Sequence, residues 1–411
     1  MSEAGQPAGA AQPSPPMTAN LLPLLIIGQV ALHAAMAGQR LASPLQALAQ
    51  GHSAWVVGIL LALFAAAPVL TAMGAGRLSD RHGYHRLQRV AVVCTLLGVG
   101  CAELASWLSA TPQLLMLGVG ACFSGTGANA GLIAIQRTAG QMARTSTERM
   151  RVFSWLGMAP ALANALGSVS AGLLIDHAGF AGAYAVMLLL PLLSLASARR
   201  VPASPARPLI AGGRSAAAWG LLAAPGLRRL LFVSWLLSAS WDVHNFAVPV
   251  LGHARGYSAT TIGLVLGIFT AAVTVVRLLI PLLAHRLDEV QVLRGAMLLA
   301  GGAFALYPFA GTPWLMAGCA TLLGLALGAV QPMIMSSLHQ LTPEHRHGEA
   351  IALRSVVMNF SSSLMPVAFG LVGAALGPGV VFWLMSAAVG AGSWATPGLR
   401  KSMLTSALPS G

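Results

Sequence analysis

The chain has 411 residues, of which 56% are hydrophobic and only 8% are charged. Soluble domains carry roughly 25% charged residues, so this composition excludes a soluble globular protein and indicates a polytopic membrane protein. The net charge of +13 at pH 7 does not indicate nucleic-acid binding, because the basic residues gather in alternate loops along the chain.

Residues 1–19 are rich in Ala, Pro, Ser and Gly and predict a disordered cytoplasmic tail. Beyond it, apolar stretches recur that are each long enough to cross a hydrocarbon core of about 30 Å. We predict an all-α membrane protein with twelve transmembrane helices in two six-helix pseudo-symmetric halves, 20–197 and 230–396. A cytoplasmic linker at 198–229 joins the halves, and a cytoplasmic tail follows at 397–411. The predicted helices are 21–47, 54–75, 89–109, 113–136, 152–175, 180–197, 230–252, 259–283, 292–310, 314–338, 350–376 and 379–396.

Basic residues distinguish the two sides of the predicted membrane domain. The loops on one side hold Arg77, Arg81, Arg86, Arg89, Arg137, Arg144, Arg149, Arg151, Arg199, Arg200, Arg207, Arg214, Arg228, Arg229, Arg286, Arg294, Arg346, Arg354, Arg400 and Lys401. The intervening loops carry only Arg255. By the positive-inside rule both termini are cytoplasmic, in a cytoplasmic (inner) membrane. We expect a monomer in the lipid bilayer that binds no nucleic acid.

An internal repeat relates the two halves. With a shift of about 205 residues, Pro44 matches Pro249, Gly51 matches Gly256 and Gly58 matches Gly263. Further along, with a shift of about 198, Gly172 matches Gly370 and Gly179 matches Gly377. Two such parallel repeats are typical of transporters with a substrate site between the halves, near the midplane.

A charged hairpin between the second and third apolar stretches carries the strongest motif. The segment Gly76-Arg77-Leu78-Ser79-Asp80-Arg81-His82-Gly83-Tyr84-His85-Arg86 resembles the signature loop of the major facilitator superfamily, Gly-x-Leu-x-Asp-Arg-x-Gly-x-x-Arg. The resemblance implies twelve helices, alternating access and a gating role for the loop residues, namely Gly76, Asp80, Arg81, Gly83 and Arg86. The repeat places Pro281 and His285 where the first loop has its glycine and aspartate, so the second loop is degenerate.

Other motifs of the family are eroded. In the fourth helix Ala121 stands where the family has an arginine implicated in proton transfer, so the resemblance does not imply the family's usual proton relay. In the fifth helix Gly157, Gly167 and Gly172 resemble a glycine-rich element associated with antiporters. Their simplest role is close helix packing, with a part in gating.

Two acidic residues lie within predicted spans, Glu103 and Asp242. Ionisable groups inside a membrane are costly and mark candidate functional sites. Asp242 belongs to a polar patch with His244 and Asn245 in the seventh helix, which the resemblance places beside the central cavity. A carboxylate there suits binding of a proton or a cationic ligand. The alternative is a structural polar cluster between helices. We expect Glu103 to lie at the interface or against the second helix.

Arg40 in the first helix occupies the repeat position of Asn245 and is the natural counterpart of Asp242. It presents a charge either to an anionic substrate or to Asp242, or it snorkels to the outer interface. His33 is a candidate titrating group or a packing residue.

Polar positions in the second half suit the lining of a pathway, namely Gln331 and Asn359 with Ser361, Ser362 and Ser363. We expect Arg277 and Arg354 to snorkel or to form ion pairs at an inner gate.

The sequence indicates no cofactor or metal. The four cysteines fall in apolar stretches, without zinc-site spacing, and no nucleotide-binding loop occurs. We therefore predict a secondary active transporter of a small organic compound. Export is favoured, with proton antiport as a candidate coupling. Uptake or symport of a small organic anion through Arg40 is the alternative, and a polytopic membrane enzyme or sensor is less favoured.

Overall fold

The computed structural model describes residues 21–142, 146–202, 220–283, 288–343 and 346–406. These residues form helices and contain no strand. The helices are α1 Leu21–Ala49, α2 Ala54–Ser79, α3 Arg81–Ala105, α4 Ala110–Met142, α5 146–178, α6 180–198, α7 Pro225–Ala254, α8 Ala259–Leu283, α9 Glu289–Leu306, α10 Pro313–Leu341, α11 His347–Leu376, α12 Pro378–Gly392 and α13 Thr396–Ser406.

Ten stretches within the described ranges are long and apolar enough to cross a membrane. One of them, Trp155–Ala198, is broken by the left-handed backbone of Gly179 into α5 and α6. Helix α7 is not among the ten, because its polar patch lowers its hydropathy; most of its side chains are buried by other helices. With these two adjustments, α1 to α12 are the twelve helices of the predicted architecture.

Matched turns confirm that the halves are structural repeats. Gly51 and Gly256 both have positive φ, 81° and 72°. At the end of α1 the amide of His52 donates to the carbonyl of Ala47, and at the end of α7 the amide of Tyr257 donates to that of Gly252, each at 3.0 Å. This is the same glycine-dependent helix stop in both halves. Gly179 and Gly377, the other predicted pair, also have positive φ.

Helix α10 has an irregularity at Ala329, where Pro313–Gly328 meets Val330–Leu341. Pro332 explains it, since proline has no amide hydrogen to donate to the carbonyl four residues earlier. Helix α13 begins at Thr396 and covers the first ten residues of the predicted C-terminal tail. Arg229, near the start of α7, donates to the carbonyl of Gly398 at 3.1 Å. We call the side where α1 begins and α12 ends the terminal side, and the opposite side the distal side.

The halves cross closely on the distal side. A Cβ on Gly58 of α2 would clash with the Pro366 carbonyl of α11, and one on Gly263 of α8 would clash with the Ser168 carbonyl of α5. These two crossings are equivalent under the repeat. Small residues let backbones approach in this way, so the glycines hold the distal side closed.

One crossing has an additional polar bond. Asp176, at the end of α5, accepts hydrogen bonds from the amides of Ala259 at 3.0 Å and Thr260 at 2.7 Å. These amides begin α8, where backbone N–H groups have no partner within the helix. Asp176 thus caps a helix of the other half.

We predict that Asp176→Ala opens the distal side. Loss of this cap should cost the closed state about 1 kcal/mol, and shift the closed-to-open ratio by about fivefold. The measurement is electron spin resonance of distances between labels at Gln50 and Leu376, in a variant lacking the four native cysteines. Asp176→Asn keeps one of the two acceptor oxygens and should lie between wild type and Asp176→Ala. A wild-type distance distribution in Asp176→Ala would contradict the role of this cap.

Candidate functional site

The candidate site is centred on Asp242, midway along α7. Its side chain is only 4% exposed, and its Oδ1 lies 3.9 Å from Nη2 of Arg40 on α1. Its Oδ2 accepts a hydrogen bond of 3.1 Å from Ser362 Oγ on α11. Because α1 belongs to one half and α7 and α11 to the other, the ion pair connects the halves. Of the alternatives open for Arg40, the structure shows it beside Asp242.

A cavity of about 240 Å³ extends from Asp242 towards the terminal side. It lies between α7, α8, α10 and α11, all in the second half. Its lining is Ser234, Leu237, Ser238, Trp241, Asp242, Arg277, Leu327, Val330, Gln331, Arg354, Met358 and Ser362. The lining combines apolar walls with a few polar groups, which is typical of a small-molecule site.

Arg354 is a fixed part of the cavity wall. It is 7% exposed. Its Nη2 donates to Oε1 of Gln331 on α10 at 2.6 Å, and its Nε donates to Oγ of Ser234 on α7 at 3.1 Å. The side chain therefore points inward between three helices. This differs from the snorkelling or inner-gate role that the sequence predicted, because periodicity alone did not show which helices α11 faces at this level.

Arg277 on α8 is a second arginine of the lining. It is half-buried, and its Nη1 lies 3.5 Å from the carbonyl oxygen of Gly157 on α5. Its Nε is buried without a hydrogen-bond partner among the described residues. Neither Arg277 nor Arg354 has a carboxylate within ion-pair distance in the part of the chain that the structure describes. With two arginines and one carboxylate, the described lining therefore carries a net positive charge.

The other residues of the predicted polar patch do not share the cavity lining. His244 is fully buried on another face of α7, with its Nδ1 3.2 Å from the hydroxyl of Tyr307 and its ring 4.1 Å from that of Phe269. Asn245 donates to the carbonyl of Trp241 in its own helix at 2.9 Å. His244 therefore packs within the second half.

Two further candidates do not line the cavity. His33 is half-buried on α1, about two helical turns from Arg40, and its Nδ1 has no partner among the described residues. Asn359 is exposed on α11, one position after the lining residue Met358. Gln331 does line the cavity, as the partner of Arg354.

The predicted gating loop lies at the terminal side, between α2 and α3. Gly83 has a φ of 73°, which supplies the sharp turn. Arg81 and Arg86 are exposed, and a Cβ on Gly76 would meet no atom within 4 Å. The side chain of Asp80 lies outside the described residues. Next to it, Arg137 of α4 donates to the carbonyl of Ser79, which ties the loop to its own half.

The three glycines of α5 have different surroundings. A Cβ on Gly167 would lie 2.5 Å from the Ala34 carbonyl of α1, and one on Gly172 would clash with the Ala259 carbonyl of α8. Both glycines allow close packing. Gly157 does not, because a Cβ there would meet no atom within 4 Å. Its carbonyl faces Arg277 instead.

Sequence reasoning overlooked a buried polar link in the first half. Gln39 of α1 donates to the carbonyl of Gly98 on α3 at 3.1 Å and accepts from Ser124 of α4. Gln39 adjoins Arg40, so this link fixes α1 where the ion pair forms. The signal in the sequence was an amide residue within an apolar stretch, directly before the charged residue.

Comparison with known proteins agrees with this fold. The family model described as Major Facilitator Superfamily matches residues 25–237 and again 230–401. The chain belongs to the Major Facilitator Superfamily. It is a multi-pass membrane transporter and not an enzyme.

Solved structures of several different transporters have the same fold as this chain. A nucleoside transporter, NupG, is 14% identical with a TM-score of 0.75, over 92% of this chain and 100% of that chain. A POT family transporter in complex with 5-aminolevulinic acid is 12% identical with a TM-score of 0.73, over 93% and 96%. A D-xylose–proton symporter is 14% identical with a TM-score of 0.71, over 92% and 97%. At these identities the likeness concerns the fold alone.

We predict that Arg40 and Asp242 are energetically coupled. Arg40→Gln or Asp242→Asn alone leaves one buried charge unpaired and should destabilise the transporter. The double variant should recover about 0.5–3 kcal/mol of that loss, measured by unfolding in detergent. Strictly additive losses would contradict the pairing. The control cycle combines His33→Gln with Asp242→Asn, for which we expect additivity.

Proposed function

We propose that the chain is a proton-coupled secondary transporter of a small organic compound, with the Asp242–Arg40 pair as its coupling site. The observation that carries this proposal is a nearly fully buried carboxylate that contacts a cation of the other half. An ionised group at this depth is costly unless it is paired, and a proton can replace the pairing cation.

The surrounding groups define how this pair would work. Ionised Asp242 attracts Arg40 across the interface and accepts from Ser362. The other charged groups of the cavity, Arg277 and Arg354, have the opposite sign to the carboxylate. Protonation of Asp242 removes its attraction for Arg40 and loosens this contact between the halves. Proton binding would thereby change which side of the transporter is open.

We further propose that the terminal side is cytoplasmic, in a cytoplasmic membrane. The arginine-rich loops gather on this side. On the distal side, Arg255 is held by two loop carbonyls, of Pro308 at 2.7 Å and of Ala310 at 2.5 Å. With the distal crossings closed, the cavity is inward-facing in this conformation, and the gating loop at 76–86 would latch the same side when the transporter turns outward. Both halves come from one chain, so a monomer suffices for transport.

The direction of transport follows from the sign of the coupling. Export in exchange for protons, which the sequence favoured, requires that proton and substrate compete for binding. In its favour, α5 packs closely at Gly167 and Gly172, as expected for the antiporter-like glycine element. Co-transport requires that the proton promotes substrate binding. The geometry favours co-transport, because protonating Asp242 would free Arg40 and make the cavity more positive. Uptake of an organic anion is therefore the function that the site supports best.

We predict that the conformational equilibrium depends on pH through Asp242. Spin labels at Gln50 and Leu376 should report different distances at about pH 5 and about pH 8, since protonation weakens the contact between the halves. Asp242→Asn should remove this pH dependence.

Two controls make the assignment specific. His33→Gln and His244→Gln remove one imidazole from the helix of Arg40 and one from the helix of Asp242, and both variants should keep the pH response. A response that persists in Asp242→Asn, or disappears in His33→Gln, would overturn the assignment of Asp242 as the coupling group.

A further inference from the structure

The cavity next to the ion pair contains positive charge that nothing in the described structure neutralises. Its lining holds two arginines and one carboxylate, and that carboxylate already lies 3.9 Å from Arg40. Unpaired charge at membrane depth is costly and is retained where it serves a function. The simplest partner for Arg277 and Arg354 is therefore an anion that enters from the terminal side.

Arg354 is preorganised to bind such an anion. Its Nε and Nη2 are occupied by Ser234 and Gln331, and these two bonds fix the plane of the guanidinium. Among the residues that the structure describes, its Nη1 contacts only the sulfur of Met335, at 4.0 Å, and so keeps donor capacity for an oxygen. A fixed guanidinium loses little conformational entropy on binding an oxyanion, which strengthens the interaction.

The remaining lining residues indicate the chemistry of the rest of the ligand. Leu237, Trp241, Leu327 and Met358 are apolar or aromatic, and Trp241 is held edge-on against Phe269 with ring centroids 4.7 Å apart. A cavity of about 240 Å³ is smaller than most drug-sized sites, so it suits a compact body of about one ring.

We infer that this cavity binds a compact organic anion, with its acidic oxygens on Arg354 and Arg277 and its apolar body against Trp241 and Leu237. The inference deepens the proposed transport function by naming the substrate class and its anchor residues. It assigns the anchor to Arg354 and Arg277, whereas Asp242, the partner of Arg40, takes the proton. Substrate and proton would thus bind to different side chains.

The test uses three monosubstituted benzenes of similar size that differ in charge: benzenesulfonate, benzenesulfonamide and phenyltrimethylammonium. The sulfonate keeps its charge at every working pH, so titration of the ligand does not confuse the result. Binding to the purified, detergent-solubilised transporter is measured by thermal shift and calorimetry. We expect stabilisation by benzenesulfonate and none by the neutral or cationic probe. Equal effects of all three, or no effect of the sulfonate, would overturn the inference.

Variants then locate the anchor. Arg354→Gln should weaken benzenesulfonate binding by about 10-fold to 100-fold, the effect of losing a charge-assisted hydrogen bond, and Arg354→Lys should weaken it less. Arg277→Gln, which leaves the Ser234–Arg354–Gln331 contacts in place, should also weaken it and covers the case in which Arg354→Gln does not fold. Arg229→Gln, a surface arginine that binds a backbone carbonyl, is the matched control and should bind normally. Unchanged affinity in both cavity variants would overturn the assignment.

Two further arms separate the possible outcomes. Inorganic phosphate tests whether charge alone suffices: stabilisation equal to that by benzenesulfonate would overturn the role of Trp241 and Leu237. Binding in detergent needs no proton gradient, so it is independent of the coupling proposal. Asp242→Asn removes a negative charge from the cavity lining, as protonation would, so it should bind benzenesulfonate at least as tightly as the wild type even where it abolishes the pH response. Loss of binding in this variant would contradict separate sites for proton and substrate.

Discussion

The positions of the ion pair and of the cavity depend on two close helix crossings, of α2 with α11 and of α5 with α8. At both crossings a glycine faces a backbone carbonyl of the other half, so any side chain would force the helices apart. With the distal side closed in this way, Arg40 comes within 3.9 Å of Asp242, and the cavity lies on the terminal side of the pair. Asp176 strengthens one crossing only, because its repeat position at residue 374 is an alanine. The distal closure is therefore symmetric in packing and asymmetric in polar bonds.

Much of this fold could be predicted from the sequence, because the repeat is visible at glycines that the backbone conformation or a close helix crossing requires. Gly51 and Gly256 end their helices with the same hydrogen-bond pattern, and Gly179 and Gly377 both adopt positive φ. Gly58 and Gly263 mark the two crossings. No other residue type fits such positions easily, so they remain visible where other side chains have diverged. The helices themselves were predicted from the composition and the apolar stretches.

The cavity could be predicted only in part, because helical periodicity does not say which neighbour a face meets. Asp242 and His244 are two residues apart, and a rotation of about 200° along the helix sends them to opposite environments, one to the ion pair and one to Tyr307. The sequence therefore grouped residues that the fold separates. Conversely, Ser234, Gln331 and Arg354 converge from three different helices, and Ser234 is 120 residues from Arg354 along the chain. Their meeting depends on tertiary packing alone.

The arrangement of charge links the two proposed binding events. With Asp242 ionised, Arg40 has a partner, and the excess positive charge of the site rests on Arg277 and Arg354. Protonation of Asp242 would add one more unpaired positive charge close to the same cavity, and an entering anion would offset it. Each ligand thereby lowers the electrostatic cost of the other, although they bind to different side chains, and such reciprocity is what co-transport requires. The eroded proton motif at Ala121 is consistent with this arrangement, because the proton site here would lie at the interface between the halves and not within α4.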